Sequence, residues 1–233
     1  MIIIISLILA IAPALLLVYY YYRQDRKKPE PKGLIIRIFL IGILSTFPIL
    51  ILELILSSLK GLFGGHPLLL AFFEGFIIAA CCEEYIKYLV VKRYVYHDIH
   101  FDEEVDGIVY AVVASLGFAC LENVIFVLDT NLATALVRAV TSVPLHALAS
   151  GMMGYYIGCA KFAVTPEEER SLLTKGVLVA IVIHGVYDFI LLAQPIFGRT
   201  SSLAIVILLF FVFLGLKEKI KYALATDTMM HRS

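Results

Sequence analysis

The chain has 233 residues, 61% of them apolar and 16% charged, with 19 basic side chains balanced by 19 acidic ones. A mean hydropathy of +0.93 excludes an ordinary soluble domain and marks an integral membrane protein. Zero net charge gives no reason to expect a nucleic-acid partner, and the four cysteines (Cys81, Cys82, Cys120, Cys159) all fall in apolar segments, which argues against a secreted disulfide scaffold.

Spanning a bilayer core of about 30 Å takes about 20 apolar residues. Apolar stretches near 2–22, 34–59, 68–91, 106–128, 132–160, 175–194 and 201–216 predict about seven transmembrane helices, the last one short. The expected fold is an all-α, polytopic helix bundle in one domain over 1–233. Its core is 68–194, preceded by N-terminal helices over 1–67 and followed by a helix and cytoplasmic tail over 195–233. The first stretch has its basic cluster after the apolar run, the reverse of a secretory signal, and is read as a retained helix. Basic residues gather in alternate connections: Arg23, Arg26, Lys27, Lys28 and Lys32, then Lys92 and Arg93, then Lys161, Arg170 and Lys175, then Lys217, Lys219, Lys221 and Arg232. The other connections hold only Lys60 and Arg199, so the N-terminus is expected outside the cytoplasm and the C-terminus inside. Thr165 followed by Pro166 reads as a helix cap and first helical residue.

Ionisable groups within such spans cost about 2.5–3.5 kcal/mol each at a helix centre, so each is a candidate functional residue. They are Glu53, Glu74, Glu83, Glu84, Lys87, Glu122, Arg138, His146, His184 and Asp188, with Asp106 and Asp129 nearer helix ends. At about 100° per residue, Glu83 and Lys87 lie about 40° apart and Glu84 and Lys87 about 60° apart, so one ammonium reaches both carboxylates. The next helix carries Phe118, Glu122 and Asn123 in "GFACLENVIF". The fifth carries Arg138, then His146 just after Pro144, then Gly151, Gly154 and Gly158, a spacing that admits a close helix neighbour. In the sixth, "HGVYDF" puts His184 and Asp188 on one face, where the carboxylate can orient the imidazole. Counted from the cytoplasmic helix ends, Glu83 and His184 fall at a depth of roughly 14 Å, and Glu122 and His146 at roughly 20–24 Å. Helix tilt, or a later start of the fourth helix, brings them into one polar cavity inside the bilayer. Glu53 and Glu74 have no motif nearby, and Asp106 in "DGIVYA" reads equally well as a helix cap or a site residue.

Four motifs in order, each in its own apolar helix, resemble those of the PrsW family of bacterial intramembrane proteases, relatives of the CAAX-processing endoproteases and bacteriocin-immunity homologues. They are E-E-x-x-K (Glu83 to Lys87), F-x-x-x-E-N (Phe118 to Asn123), a histidine helix (His146) and H-x-x-Y-D (His184 to Asp188). The resemblance implies a multi-pass protein of the bacterial plasma membrane. It implies site-1 cleavage of a single-pass substrate, typically an anti-sigma factor, near the extracytoplasmic side, in stress or envelope signalling. Carried over by motif, Glu83 and Glu84 are the catalytic pair. Glu122, His146 and His184 complete the site, and Lys87, Asn123, Asp188 and Phe118 support it. The CAAX relatives have histidine where this chain has Glu122.

Amide hydrolysis needs an activated water, a proton for the leaving amine and a stabilised oxyanion. Two chemistries fit the residues. In one, without metal, Glu83 activates water with His146, Glu84 pairs with Lys87, and His184 with Asn123 polarises the carbonyl. In the other, two imidazoles and a carboxylate hold one zinc ion with the fourth position open, the candidate ligands being Glu83, Glu122, His146 and His184. Two further classes compete. A proton-coupled or ion transporter would show inverted repeats or paired broken helices, and neither is evident. A scaffold that binds a partner helix would need glycine faces but no Glu-Glu-Lys cluster.

Overall fold

A computed structural model describes residues 2–25, 28–63, 65–129 and 131–230. Among them the order is α1 (Ile2–Tyr22), α2 (Lys32–Ser57), α3 (Pro67–Phe72), α4 (Cys81–Tyr94), α5 (Glu104–Asp129), α6 (Leu132–Val140), α7 (Ser142–Lys161), α8 (Pro166–Leu192), α9 (Gln194–Phe197) and α10 (Thr200–Met230), with no strand. Six helical segments, counting α6–α7 as one, are individually long and apolar enough to cross a membrane. The expected third crossing is a composite: α3 passes into α4 through a π-helical stretch, Phe73–Ala80, giving an unbroken helical path of 28 residues. Arg26, Lys27 and Arg232, expected at the cytoplasmic face, lie outside the described residues.

The burial pattern gives the bundle a centre. In α5, 67% of the spanning window is buried, against 17% in α1 and in α10, so α5 is the axis and the outer helices present aliphatic faces to lipid. α5 packs most extensively on α7 and also against α1 and α2. The α5–α7 contact depends on absent side chains: a Cβ on Gly107 would lie 2.5 Å from the Gly158 nitrogen and 2.5 Å from the Gly154 oxygen. The expected glycine-mediated approach therefore occurs, with α5 as the partner. A second close approach joins α8 to the π stretch, where a Cβ on Gly185 would lie 2.7 Å from Phe76 ring carbon Cε1.

The helix ends expected to face the cytoplasm are tied to one another. Lys92 Nζ and Tyr96 Oη each donate to Glu169 Oε1 at 2.8 Å. Lys161 donates to the Tyr96 carbonyl at 2.6 Å, and Lys28 pairs with Asp102. Asp106 belongs to this end: its Oδ2 accepts the backbone N–H groups of Asp102 at 3.0 Å and Glu103 at 2.7 Å, and it is fully buried near Glu30 and Tyr110. It caps the entry to α5.

Three helix boundaries differ from the apolar stretches. The sixth helix begins at Pro166, ahead of the apolar stretch near 175, as the Thr165–Pro166 pair predicts: Thr165 caps it, accepting from the Glu168 N–H at 3.2 Å. The nine added residues lengthen the helix by about 13 Å, so the counted depths of the site residues no longer set the height of the site. The fifth span breaks at Thr141 (φ −122°, ψ −60°), three residues before Pro144, whose ring nitrogen cannot donate to the Val140 carbonyl. The last span is not short. Leu216, Ile220 and Ala223 continue a buried helical stripe past residue 216. At its far end Asp227 accepts from the N–H groups of Glu104 at 2.7 Å and Val105 at 3.2 Å, satisfying the start of α5.

Candidate active site

Glu83, Glu84 and Lys87 stand in the first two turns of α4, directly after the π stretch. Lys87 Nζ lies 2.8 Å from Glu83 Oε2, 2.8 Å from Glu84 Oε1 and 3.1 Å from His146 Nδ1. An ammonium has three protons, and these partners take all three. With Nδ1 accepting, the neutral His146 ring carries its proton on Nε2, which faces Glu122 Oε2 at 3.0 Å. Glu122 is held in turn by Arg138 Nη2 at 2.8 Å, and Arg138 Nε donates to Asn123 Oδ1 at 2.7 Å. The Phe118 ring closes the group, 4.3 Å from Lys87 Nζ and edge-on to His146.

His184 enters from α8. Its Nδ1 lies 2.9 Å from Glu84 Oε1 and its Nε2 lies 3.2 Å from Asp188 Oδ2. The two glutamates are bound unequally. Glu84 accepts from Lys87, His184 and, at 3.1 Å, Ser150 Oγ. Glu83 accepts from Lys87, while His146 Nδ1 and His184 Nδ1 stand 3.7 and 3.9 Å from its Oε2. Glu83, Glu84, Lys87, His146 and His184 are all buried. In an interior of low dielectric constant such a group persists only because each charge has partners.

Nearly all the residues singled out in the sequence converge here. Asn123 meets Arg138 at its oxygen, while its Nδ2 is buried without a partner among the described residues. Glu122 sits on the outer nitrogen of His146, away from the Glu83–Glu84 pair. Glu53, which carried no motif, lies on α2 within electrostatic range of Glu83, Lys87, Glu122 and His184. Its spacing from the other motifs could not reveal this, because α2 reaches the site only by packing against α4 and α5. Glu74 is accounted for elsewhere, in a half-exposed pair with Lys60 at 3.0 Å. The four cysteines are free thiols, and Cys81 and Cys82 take no part in the cluster.

The donor chemistry suits a divalent metal. One atom each from Glu83, Glu84, His146 and His184 lies within 4.8 Å of the others. In both histidines Nδ1 faces this group while Nε2 meets a carboxylate, Glu122 or Asp188. That is the arrangement by which metal-bound imidazoles are held in orientation. The four carboxylates Glu83, Glu84, Glu122 and Asp188 face two permanent cations, Lys87 and Arg138, an excess of negative charge that a divalent ion would neutralise.

The PrsW family intramembrane metalloprotease model matches residues 30–216. The chain is 38% identical to the Protease PrsW of Geobacillus kaustophilus over 213 residues, 91% of each chain. It is 36% identical to that of Bacillus subtilis over 183 residues, 78% of this chain and 81% of the relative. It is 34% identical to that of Clostridioides difficile over 216 residues, 91% and 90% of the two chains. No solved structure matches. With its membrane-crossing helices, a buried Glu/His cluster and a family match across most of its length, this multi-pass bacterial membrane protein is an intramembrane peptidase belonging to the PrsW family.

Proposed function

We propose that the protein performs site-1 cleavage of a single-pass membrane substrate, an anti-sigma factor, near the extracytoplasmic side of the bilayer. The observation that carries this is the convergence of Glu83, Glu84, His146 and His184 from three helices into one buried cluster. Of these, Glu84, His146 and His184 would hold a divalent metal such as zinc, with a position left open to water beside Glu83. When bound, the metal would supply Lewis acidity toward water and the scissile carbonyl.

The chain's own groups divide the remaining work. Glu84, fixed by three donors, is the anchored carboxylate. Glu83, the less constrained of the two, takes the proton from the attacking water and returns it to the leaving amine. Lys87 supplies the positive charge that offsets two adjacent carboxylates in a low-dielectric interior. Glu122 and Asp188 hold the His146 and His184 rings in orientation through their Nε2 atoms, and Arg138 holds Glu122. Phe118 covers the ammonium and keeps water from that side.

The test is reconstitution of purified enzyme in liposomes with a single-pass anti-sigma factor. Cleavage on the extracytoplasmic side, about one metal per chain, arrest by chelator and loss of activity in Glu83→Gln are expected. Intact substrate in all conditions refutes the assignment. Undiminished cleavage by metal-free protein refutes the metal and leaves Glu83 as a metal-free base.

A further inference from the structure

Next to the cluster, toward the extracytoplasmic ends of the helices, lies a cavity of about 660 Å³ among α6, α8 and α10. That volume falls within the ~300–1,000 Å³ typical of ligand sites. Val140, Leu191 and Val206 line its apolar walls, and Arg138, Tyr187 and Ser201 supply its polar surface. Arg138 belongs to two places at once: it lines the cavity, and it holds the Glu122 carboxylate that orients His146. The cavity thus adjoins the reacting groups through one guanidinium.

A donor among the lining residues is unused. Ser201, 3% exposed, has a hydroxyl without a hydrogen-bond partner among the described residues. An unpaired buried donor costs about 1–3 kcal/mol, so it is suited to a ligand that brings acceptors. A peptidase substrate inside a bilayer brings them. Its helix must unwind before a peptide bond can be attacked, and each freed carbonyl has no water to bond in the hydrocarbon region.

We propose that this cavity is the docking subsite for the extracytoplasmic flank of the scissile bond. It takes an extended peptide segment of the single-pass substrate, whose backbone carbonyls accept hydrogen bonds from Ser201 and Arg138. The apolar walls receive the segment's side chains. Arg138 is here a positioning residue, joining the bound backbone to the Glu122–His146 pair. The inference rests on the protease reading of the adjoining cluster.

Two exposed α10 residues on the cavity lining allow it to be filled without disturbing the core: Ser202→Trp and Val206→Trp. In liposomes with a single-pass anti-sigma factor, each is expected to lower kcat/KM on the order of tenfold through a raised KM, with kcat and bound metal at wild-type levels. Leu203→Trp, on the same helix but off the cavity, keeps wild-type kinetics. In a Glu83→Gln background, replacing Ser202 by photoreactive benzoylphenylalanine should crosslink the extracytoplasmic flank of the intact substrate. Wild-type kinetics in both cavity variants, or crosslinks confined to the cytoplasmic flank, would overturn the subsite. A wild-type enzyme that leaves the substrate whole would instead overturn the protease reading, and the subsite with it.

Discussion

Replacing Lys87 with methionine keeps the length of the side chain and removes the charge at the centre of the cluster. At 2.8 Å from each glutamate, Lys87 makes two contacts worth about 6 kcal/mol apiece at an effective dielectric constant of about 20. Desolvation of the three ions, several kcal/mol each, offsets most of that. Removing one partner of a buried ion pair costs about 3–5 kcal/mol, because uncompensated charge is left behind. For a chain of this size, about 2–4 °C per kcal/mol converts the loss into a fall in Tm of about 6–20 °C. The assay is thermal unfolding of detergent-solubilised protein, in chelator and with added zinc. Two of the metal's donors, Glu84 and His146, now engage the ammonium, so zinc should recover part of the deficit, about 2.7 kcal/mol at a hundred times its Kd. A drop below about 2 °C in chelator would refute the role of Lys87 as buried counter-ion. An equal deficit with and without zinc would refute the idea that metal and ammonium compensate the same carboxylates.

Glu84→Gln should lower Tm more than Glu83→Gln, because Glu84 accepts three hydrogen bonds from side chains and Glu83 one; equal losses in a side-by-side unfolding series would contradict the division between anchor and base. Gly107→Leu should prevent α7 from closing on α5, costing about 1–3 kcal/mol or more, and wild-type yield and Tm would show the crossing to be more tolerant than the contact implies. Burial pushes the Glu30 carboxyl above its ordinary range near the start of α5, beside Tyr110, Asp106, Asp25 and Asp102. Its folded pKa is raised, so its contribution is fully present below the unfolded value of about 4.3 and is lost as pH rises through the folded value. Glu30→Gln should therefore show a smaller fall in Tm than wild type from about pH 4 to about pH 8, and parallel curves would dismiss the effect.

The bundle was legible in the sequence because hydrocarbon thickness imposes a length on any spanning helix, and because charges inside such helices are too costly to be incidental. Hence Glu83, Glu84, Lys87, Glu122, His146, His184 and Asp188 could be picked out one by one, and the i, i+3 and i, i+4 pairings to Lys87 and Asp188 followed from helix geometry alone. Pairings within a helix need only the pitch; pairings between helices need the packing. That Lys87 also reaches His146, that Arg138 meets Asn123, and that Glu53 comes within electrostatic range of the site all depend on how α2, α4, α5, α7 and α8 lie together. The length of α10 was hidden for a related reason. Its last turns are charged on one side and buried on the other, and average hydropathy does not register a stripe. The tertiary structure also produced the cavity beside Arg138, since a void between three helices belongs to none of them.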